Sequence, residues 1–172
     1  MRVIAGRYKG RQLQFGSDKQ HRPTKDRVKE SIFNMIQGSC ENAVVWDAFA
    51  GTGSLGIEAL SRGASHVMFT DINSTYVKMN TSWLEETQNY NIIKQSALQF
   101  LKDTELKFDI VFLDPPWNQL ELFNKIITFI IDKNSLSPDG LIICEHPSSY
   151  QLEYDTEIKK KKKLGNTTVS IL

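Results

Sequence analysis

The sequence predicts an α/β fold with a doubly wound, mostly parallel sheet, and two observations support this prediction. Short apolar runs alternate with helical patterns between residues 44 and 144, and the first run leads into a glycine-rich turn. Such alternation is typical of parallel sheets, because each return to a parallel strand needs a crossover that is usually helical. With 172 residues, 40% of them hydrophobic, we expect one domain spanning residues 1–172, in which a basic N-terminal extension, residues 1–38, packs on a core formed by residues 39–172.

The N-terminal extension is predicted to contain a small β-hairpin followed by a helix. Residues 2–6 and 11–15 resemble two short strands separated by the turn residues 7–10. After Pro23, Thr24 can cap a helix that ends at Gly38, and Val28, Ile32, Met35 and Ile36 form its apolar face. The face opposite the apolar one is expected to carry Lys25, Lys29 and Glu30.

The core is predicted to contain five strands and four helices in alternation. The strand-like runs are residues 44–47, 67–70, 92–94, 108–113 and 141–144, and the helical patterns are residues 55–61, 74–87, 97–102 and 120–131. Residues 167–171 follow a Gly165-Asn166 turn signal and can pair with residues 157–163. We therefore expect an antiparallel hairpin at the C-terminal edge of the sheet.

The glycine-rich turn indicates a site for an adenosine-containing ligand. Gly51, Gly53 and Gly56 have the G-x-G-x-x-G spacing, and Asp71 follows Gly51 by twenty residues at the end of the second strand, where a carboxylate can bind the two hydroxyls of a ribose. Asp47, at the end of the first strand, would repel a pyrophosphate but attract the ammonium and sulfonium of S-adenosylmethionine. Either acid alone could equally be an ordinary strand-end or capping residue.

A second motif, Asp114-Pro-Pro-Trp117, follows the fourth strand. Ligands of open α/β sheets bind at the carboxyl ends of the strands, so Asp114 should face the same crevice as Asp47. The Asp114 side chain and the Pro115 carbonyl can accept hydrogen bonds from a planar exocyclic amine, and Trp117 offers a face on which a base can stack. The alternative is a rigid turn that carries a core indole.

Charge is distributed unevenly along a chain whose net charge is only +1. Residues 1–29 contain nine Lys or Arg against two acids, residues 159–163 are five consecutive lysines, and the remaining residues are strongly acidic. Basic ends on an acidic body favour contact with phosphates, although the lysine run alone could be a solvated surface.

Cys40 and Cys144 lack a CxxC or His-spaced partner, so we expect two core thiols and neither a zinc site nor a disulfide.

Together these motifs resemble the RsmD family of bacterial 16S ribosomal RNA guanine-N2 methyltransferases, which have the class I (Rossmann-like) methyltransferase fold. The resemblance covers nearly the whole chain and is most specific in residues 22–34; it also includes residues 2–6, Gly10-Arg11, residues 47–64 and residues 112–116. The chain departs from the family pattern at three positions: Trp117 replaces a Tyr, Asp71 replaces the frequent Glu, and Ser96 replaces an Asp that contacts the adenine amine.

The resemblance implies a role for each motif residue. The catalytic residues would be Asp114, Pro115, Pro116 and Trp117. The cofactor, S-adenosylmethionine, with S-adenosylhomocysteine as product and no metal, would be bound by Asp47, Phe49, Gly51, Thr52, Gly53, Gly56, Asp71, Ile72, Ser96 and Ala97. RNA would be contacted by Arg7, Lys9, Arg11, Arg22, Thr24 and Arg27.

The expected function is methyl transfer from S-adenosylmethionine to the N2 amine of a guanine in 16S rRNA, within a small-subunit particle. We expect a cytoplasmic protein without a membrane partner, because no apolar run is long enough to span a bilayer and the N-terminus lacks a signal-peptide pattern. We also expect a monomer. The alternatives are an adenine-N6 or protein glutamine-N5 methyltransferase, a non-catalytic RNA-binding assembly factor with this fold, and a nicotinamide-dependent dehydrogenase.

Overall fold

The fold is built on one seven-stranded sheet with the strand order β3-β2-β1-β4-β5-β7-β6. The computed structural model describes residues 1–16, 23–154 and 157–172, and in residues 23–25 only the backbone. The strands are β1 (Val44–Asp47), β2 (His66–Asp71), β3 (Tyr90–Lys94), β4 (Phe108–Leu113), β5 (Leu136–Pro147), β6 (Lys160–Leu164) and β7 (Thr167–Ile171). The first five pair in parallel and the last two are antiparallel, so the predicted mostly parallel sheet with an antiparallel hairpin is confirmed.

Within the described residues, five α-helices cover the two faces of this sheet. They are α1 (Pro23–Met35), α2 (Ser54–Ser61), α3 (Thr75–Thr81), α4 (Ala97–Asp103) and α5 (Glu121–Asp132). Side chains of α1, α2 and α3 share one apolar cluster with Phe112 and Ile143 of the sheet. Side chains of α4 and α5 share a second cluster with Leu113 and Cys144, which point to the opposite face. The sheet is therefore doubly wound, as the alternation of patterns predicted.

Helix α3 is shorter than the predicted segment of residues 74–87 because the chain leaves the helix after Thr81. The Thr81 hydroxyl donates back to the Val77 carbonyl at 2.8 Å, and the following residues fold inward. Leu84 is buried, and the Trp83 ring packs edge-on against Tyr8 at a centroid distance of 5.2 Å. Tertiary packing with the N-terminal extension thus overrides the helical pattern.

The lysine run lies on β6, the outermost strand, while β7 is buried between β5 and β6. Four consecutive lysines of β6 are exposed to solvent. Charged side chains on an edge strand oppose pairing with a second sheet.

Both cysteines are buried and free, as predicted, and burial raises the pKa of the Cys40 thiol to about 11.

The N-terminal hairpin is reduced to one antiparallel bridge between Arg2 and Gln12. The Val3 amide donates to the Arg11 carbonyl at 2.9 Å, and the Gly10 amide donates to the Val3 carbonyl at 2.9 Å. Helix α1 begins at Pro23, so Thr24 lies inside its first turn and the predicted capping role of Thr24 is wrong. A proline suits the first helical position, because its missing N–H would have no partner inside the helix.

Lys29 was expected on the face opposite the apolar one, and this placement is wrong. Its side chain is 3% exposed, and its ammonium donates to the Arg2 carbonyl at 2.7 Å and lies 3.4 Å from the Glu58 carboxylate. Glu58, on α2, is fully buried and also accepts from Arg62. Burial lowers the pKa of Lys29, while the Glu58 charge opposes this shift. Residues at the start of the chain, such as Arg2, cover this face of α1, so Lys29 is largely withdrawn from bulk solvent.

Glu58 also fixes the N-terminal segment to the core. Its two carboxylate oxygens accept the backbone N–H groups of Ile4 and Ala5, at 2.7 and 3.0 Å. Gly6 follows with a φ of +81°, and a Cβ there would lie 1.7 Å from the Ser61 carbonyl oxygen. Only glycine permits this approach of the segment to α2.

Across the described parts of the chain, we find no helix long and apolar enough to span a membrane.

Candidate active site

Three acidic side chains lie at the carboxyl ends of neighbouring strands. Asp47 ends β1 and pairs in register with Phe112 of β4, and Asp114 lies two residues beyond Phe112. Phe112 in turn pairs with Ile143 of β5, and Glu145 lies two residues beyond Ile143. Residues two apart on a strand point to the same face, so the three carboxylates face the side covered by α1 and α2. All three line one cavity of about 290 Å³.

The glycine-rich turn forms a wall of this cavity. Gly51 and Gly53 have φ values of +52° and +76°, in the left-handed region that favours glycine. Gly56 lies on α2, where a Cβ would meet the Phe69 ring at 2.3 Å. The three glycines therefore have the roles expected of the motif, which are a tight turn, an exposed backbone and close packing of helix on strand.

Asp47 is a buried carboxylate beneath this turn. It is 3% exposed, and its Oδ2 accepts the Gly56 N–H at 2.9 Å. The pKa of Asp47 is raised to about 7, chiefly by burial; the Gly56 hydrogen bond opposes this shift, and the charges of Asp114 and Asp71 contribute to it. A buried acid with two acidic neighbours favours a cation and disfavours a pyrophosphate.

Asp71 holds the turn from the other side. Its Oδ2 accepts the Gly51 N–H at 2.7 Å, and its Oδ1 accepts the Asn73 N–H at 2.8 Å. Each oxygen has a second lone pair, so both can also accept a ligand hydroxyl. Ile72, the next residue, is 72% exposed, so its side chain is accessible to a ligand.

The cavity brings together some of the predicted site residues and leaves others outside its wall. Asp47, Phe49, Gly51, Thr52 and Asp114 line it. Asp71 is linked to the cavity wall through its hydrogen bond to Gly51. Ser96 is exposed, and its hydroxyl caps α4 by accepting the Gln99 N–H at 3.3 Å. Ala97, the first residue of α4, is buried.

Several lining residues were not identified from the sequence: Met1, Phe15, Gly16, Lys29, Ala50, Ser54, Leu55, Tyr76 and Glu145. Glu145 could have been found, because it follows a predicted strand just as Asp114 does. Met1, Phe15 and Tyr76 come from the N-terminal segment and α3, and no local pattern marks them as neighbours of the glycine turn.

The residues after Asp114 form a turn, and Pro115, Pro116 and Trp117 do not line the cavity. Pro115 is buried, Pro116 is exposed, and the Pro116 carbonyl accepts the Gln119 N–H at 2.8 Å. The Trp117 side chain is 53% exposed, so it is not the core indole of the alternative interpretation. An exposed ring that follows a cavity-lining carboxylate closely in the chain can stack on a planar ligand.

The basic residues predicted to contact RNA lie on the N-terminal extension. Arg7, Lys9, Arg11 and Arg27 are exposed. The Arg7 guanidinium forms an ion pair with Glu86, and the Arg11 guanidinium lies 4.6 Å from the centre of the Trp83 ring. Lys9 and Arg27 line a second cavity with Arg2. Arg22 lies outside the described residues, and so does the side chain of Thr24.

Comparison with known proteins agrees with this geometry. The family model named Conserved hypothetical protein 95 matches residues 1–172. The chain is 40% identical over 151 residues to ribosomal RNA small subunit methyltransferase D of Haemophilus influenzae, covering 84% of this chain and 78% of that protein. It is 33% identical over 148 residues to the Escherichia coli K12 protein of the same name, covering 84% of this chain and 74% of the relative.

Solved structures show the same relationship. The chain superposes on yhhF from Escherichia coli, a candidate methyltransferase, with a TM-score of 0.86 and 29% identity, covering 99% of this chain and 96% of the other. The fold, the glycine turn and the acidic strand ends define a class I S-adenosylmethionine-dependent methyltransferase. The chain belongs to the RsmD family of ribosomal RNA methyltransferases, as the sequence motifs predicted.

Proposed function

We propose that this enzyme transfers a methyl group from S-adenosylmethionine to the exocyclic N2 amine of a guanine in 16S rRNA, with Asp114 binding the amine. The observation that carries the proposal is that Asp114 and Asp47 line one cavity beside the glycine turn. A site for an amine and a site for a cationic ligand are thereby adjacent. Relatives named ribosomal RNA small subunit methyltransferase D support the choice of rRNA.

The residues around the glycine turn fit the cofactor. Residues 50–52 line the cavity, Asp71 would accept the ribose hydroxyls, and Asp47 lies where its charge favours a cation. Phe49 and Ile72 would contact the adenosine, together with Ser96 and Ala97 at the start of α4. Bound in this way, S-adenosylmethionine supplies a methyl group activated by a sulfonium.

Asp114 and its neighbours would orient the base. The Asp114 carboxylate and the Pro115 carbonyl accept the two N2–H groups, which draws the nitrogen lone pair out of conjugation with the ring. Stacking on Trp117 would hold a flipped guanine, a contact worth about 1–3 kcal/mol in nucleic-acid binders. Orientation of this kind can lower a barrier by several kcal/mol without a covalent intermediate. After transfer, the carboxylate of Asp114 is placed to take the surplus proton from N2.

The N-terminal extension would bind the RNA backbone. Arg7, Lys9 and Arg11 present cations on residues 1–16, whose first and last residues, Met1 and Gly16, line the cavity, and Arg27 presents a further cation on α1. A phosphate-binding surface therefore continues into the wall of the proposed base site. We extend this role to Arg22 and Thr24 from the family resemblance.

The test is incubation with labelled S-adenosylmethionine and small-subunit particles that lack the modification, followed by nucleoside analysis. We expect label in N2-methylguanosine of 16S rRNA. Label in N6-methyladenosine or in protein glutamine would establish one of the alternative methyltransferases. Cofactor binding without transfer to any component would contradict the enzymatic assignment and favour an assembly factor.

A further inference from the structure

Glu145 is an acidic wall residue of the active-site cavity that the proposed mechanism does not yet use. It immediately follows Cys144 of β5, and Asp114 immediately follows Leu113 of β4. Leu113 and Cys144 are paired in the parallel register, so the two carboxylates leave neighbouring strands at the same level. Adjacent strands lie about 4.8 Å apart, which places two acceptors side by side. Both line the cavity.

The backbone that carries Glu145 is held on both sides. β5 pairs with β4 and with β7, and Glu145 itself lies opposite Val169. Ile143 and Cys144, the two preceding residues, are buried. A side chain on a central strand has a fixed origin and direction, which suits the recognition of one edge of a base.

We propose that Glu145 is a specificity-determining residue whose carboxylate accepts the N1–H of the target guanine, while Asp114 accepts from the N2 amine. This inference rests on the proposed guanine-N2 activity. Guanine presents N1–H and N2–H₂ as adjacent donors on its Watson–Crick edge, and the cavity presents two adjacent carboxylates. The arrangement matches donors with acceptors, one to one.

The same pair of acceptors disfavours adenine. Adenine carries an unprotonated N1 beside its exocyclic amine, so Glu145 would face a lone pair while Asp114 bound the amine. A site that leaves a buried polar group without a hydrogen bond discriminates strongly against the analogue that lacks the donor. Glu145 would therefore select guanine although Asp114 alone accepts either amine.

The test compares guanine with 2-aminopurine at the target position of 16S rRNA, after analysis of labelled RNA fragments has located the methylated guanine. 2-Aminopurine keeps the 2-amine but has an unprotonated N1. We expect the wild type to methylate guanine with a kcat/KM about 10- to 100-fold above that for 2-aminopurine. In Glu145→Gln the side-chain amide can donate a hydrogen bond to the unprotonated N1 of 2-aminopurine. The kcat/KM values for guanine and 2-aminopurine should therefore differ by less than about threefold in this variant.

Controls separate the inference from the function on which it rests. Glu41→Gln, at an exposed position before β1, makes the same chemical change away from the cavity and should keep the wild-type ratio. Calorimetry should show unchanged S-adenosylmethionine affinity in Glu145→Gln. If the variant keeps the wild-type base ratio, or loses cofactor affinity instead, Glu145 does not read the base.

The wild type alone provides a second measurement in case Glu145→Gln does not fold. A wild-type ratio near one overturns the inference, and a ratio of tenfold or more supports it. These results leave guanine-N2 methylation intact. Failure of the proposed function looks different, because the wild type would then place no label at N2 of any guanine.

Discussion

Replacing the buried Asp47 with asparagine should stabilise the cofactor-free protein at neutral and alkaline pH. Asparagine has nearly the same shape, and its carbonyl oxygen can still accept the Gly56 N–H. It removes the negative charge that burial makes unfavourable. The gain therefore depends on how much of the wild-type population is ionised at position 47.

The size of the effect follows from the pKa of Asp47, which burial raises from 3.8 to about 7. Below pH 3.8 the Asp47 carboxyl is protonated in both the folded and the unfolded state, so its ionisation does not affect the free energy of unfolding. Between pH 3.8 and 7 the folded state holds a proton that the unfolded state has lost, so the stability of the wild type falls as pH rises. Each pH unit in that window costs about 1.4 kcal/mol, which accumulates to about 4 kcal/mol above pH 7.

Urea denaturation at pH 5 and pH 8 measures this difference. The free energy of unfolding of Asp47→Asn relative to wild type should increase by about 2–3 kcal/mol between these pH values. Asp132→Asn, an exposed acid at the end of α5, is the matched control and should show no such increase. A pH-independent difference between Asp47→Asn and wild type would refute the reasoning, and a wild type that is the more stable protein at pH 8 would refute it too.

Three further predictions concern the cofactor, the chemistry and the RNA. Asp71→Ala should weaken S-adenosylmethionine binding by about 2–3 kcal/mol, and unchanged affinity in a folded variant by calorimetry would contradict the ribose assignment. Asp114→Ala should lower methyl transfer by orders of magnitude at near-normal cofactor affinity; loss of affinity with retained turnover of bound donor would reverse its role. When Gln replaces Arg7, Lys9 and Arg11 together, the slope of log RNA affinity against log salt concentration should become shallower by about two to three units. Neutralising two of residues 159–163 should change this slope less. If the second variant changed the slope more than the first, the RNA-binding surface would lie on β6 and not on the N-terminal extension.

Strand-end acids were the part of the site that sequence could predict. Asp47, Asp71 and Asp114 follow apolar runs, and parallel strands bring their carboxyl ends to one edge of the sheet. The glycine spacing located the turn for the same reason. These are local patterns combined with one rule of topology, and the structure places them together.

Contacts between distant segments could not be predicted in this way. The helical pattern of α1 shows which residues are apolar, but not that the N-terminal segment would enclose Lys29. Likewise, the pattern after Thr81 does not reveal that Trp83 packs on Tyr8. Burial by a segment tens of residues away overrides local propensity, and single-sequence periodicity carries no information about such contacts.

The bond between Glu58 and the N-terminal segment also constrains the order in which the protein folds. Ile4 is synthesised first but pairs with a carboxylate 54 residues further along the chain. At synthesis rates of about 5–20 residues per second, several seconds pass before that partner exists. The N-terminal segment therefore cannot dock before Glu58 has been synthesised, and its attachment is a long-range event. The N-terminal segment proposed to bind RNA can therefore dock only after the glycine turn proposed to bind the cofactor, residues 51–56, has been synthesised.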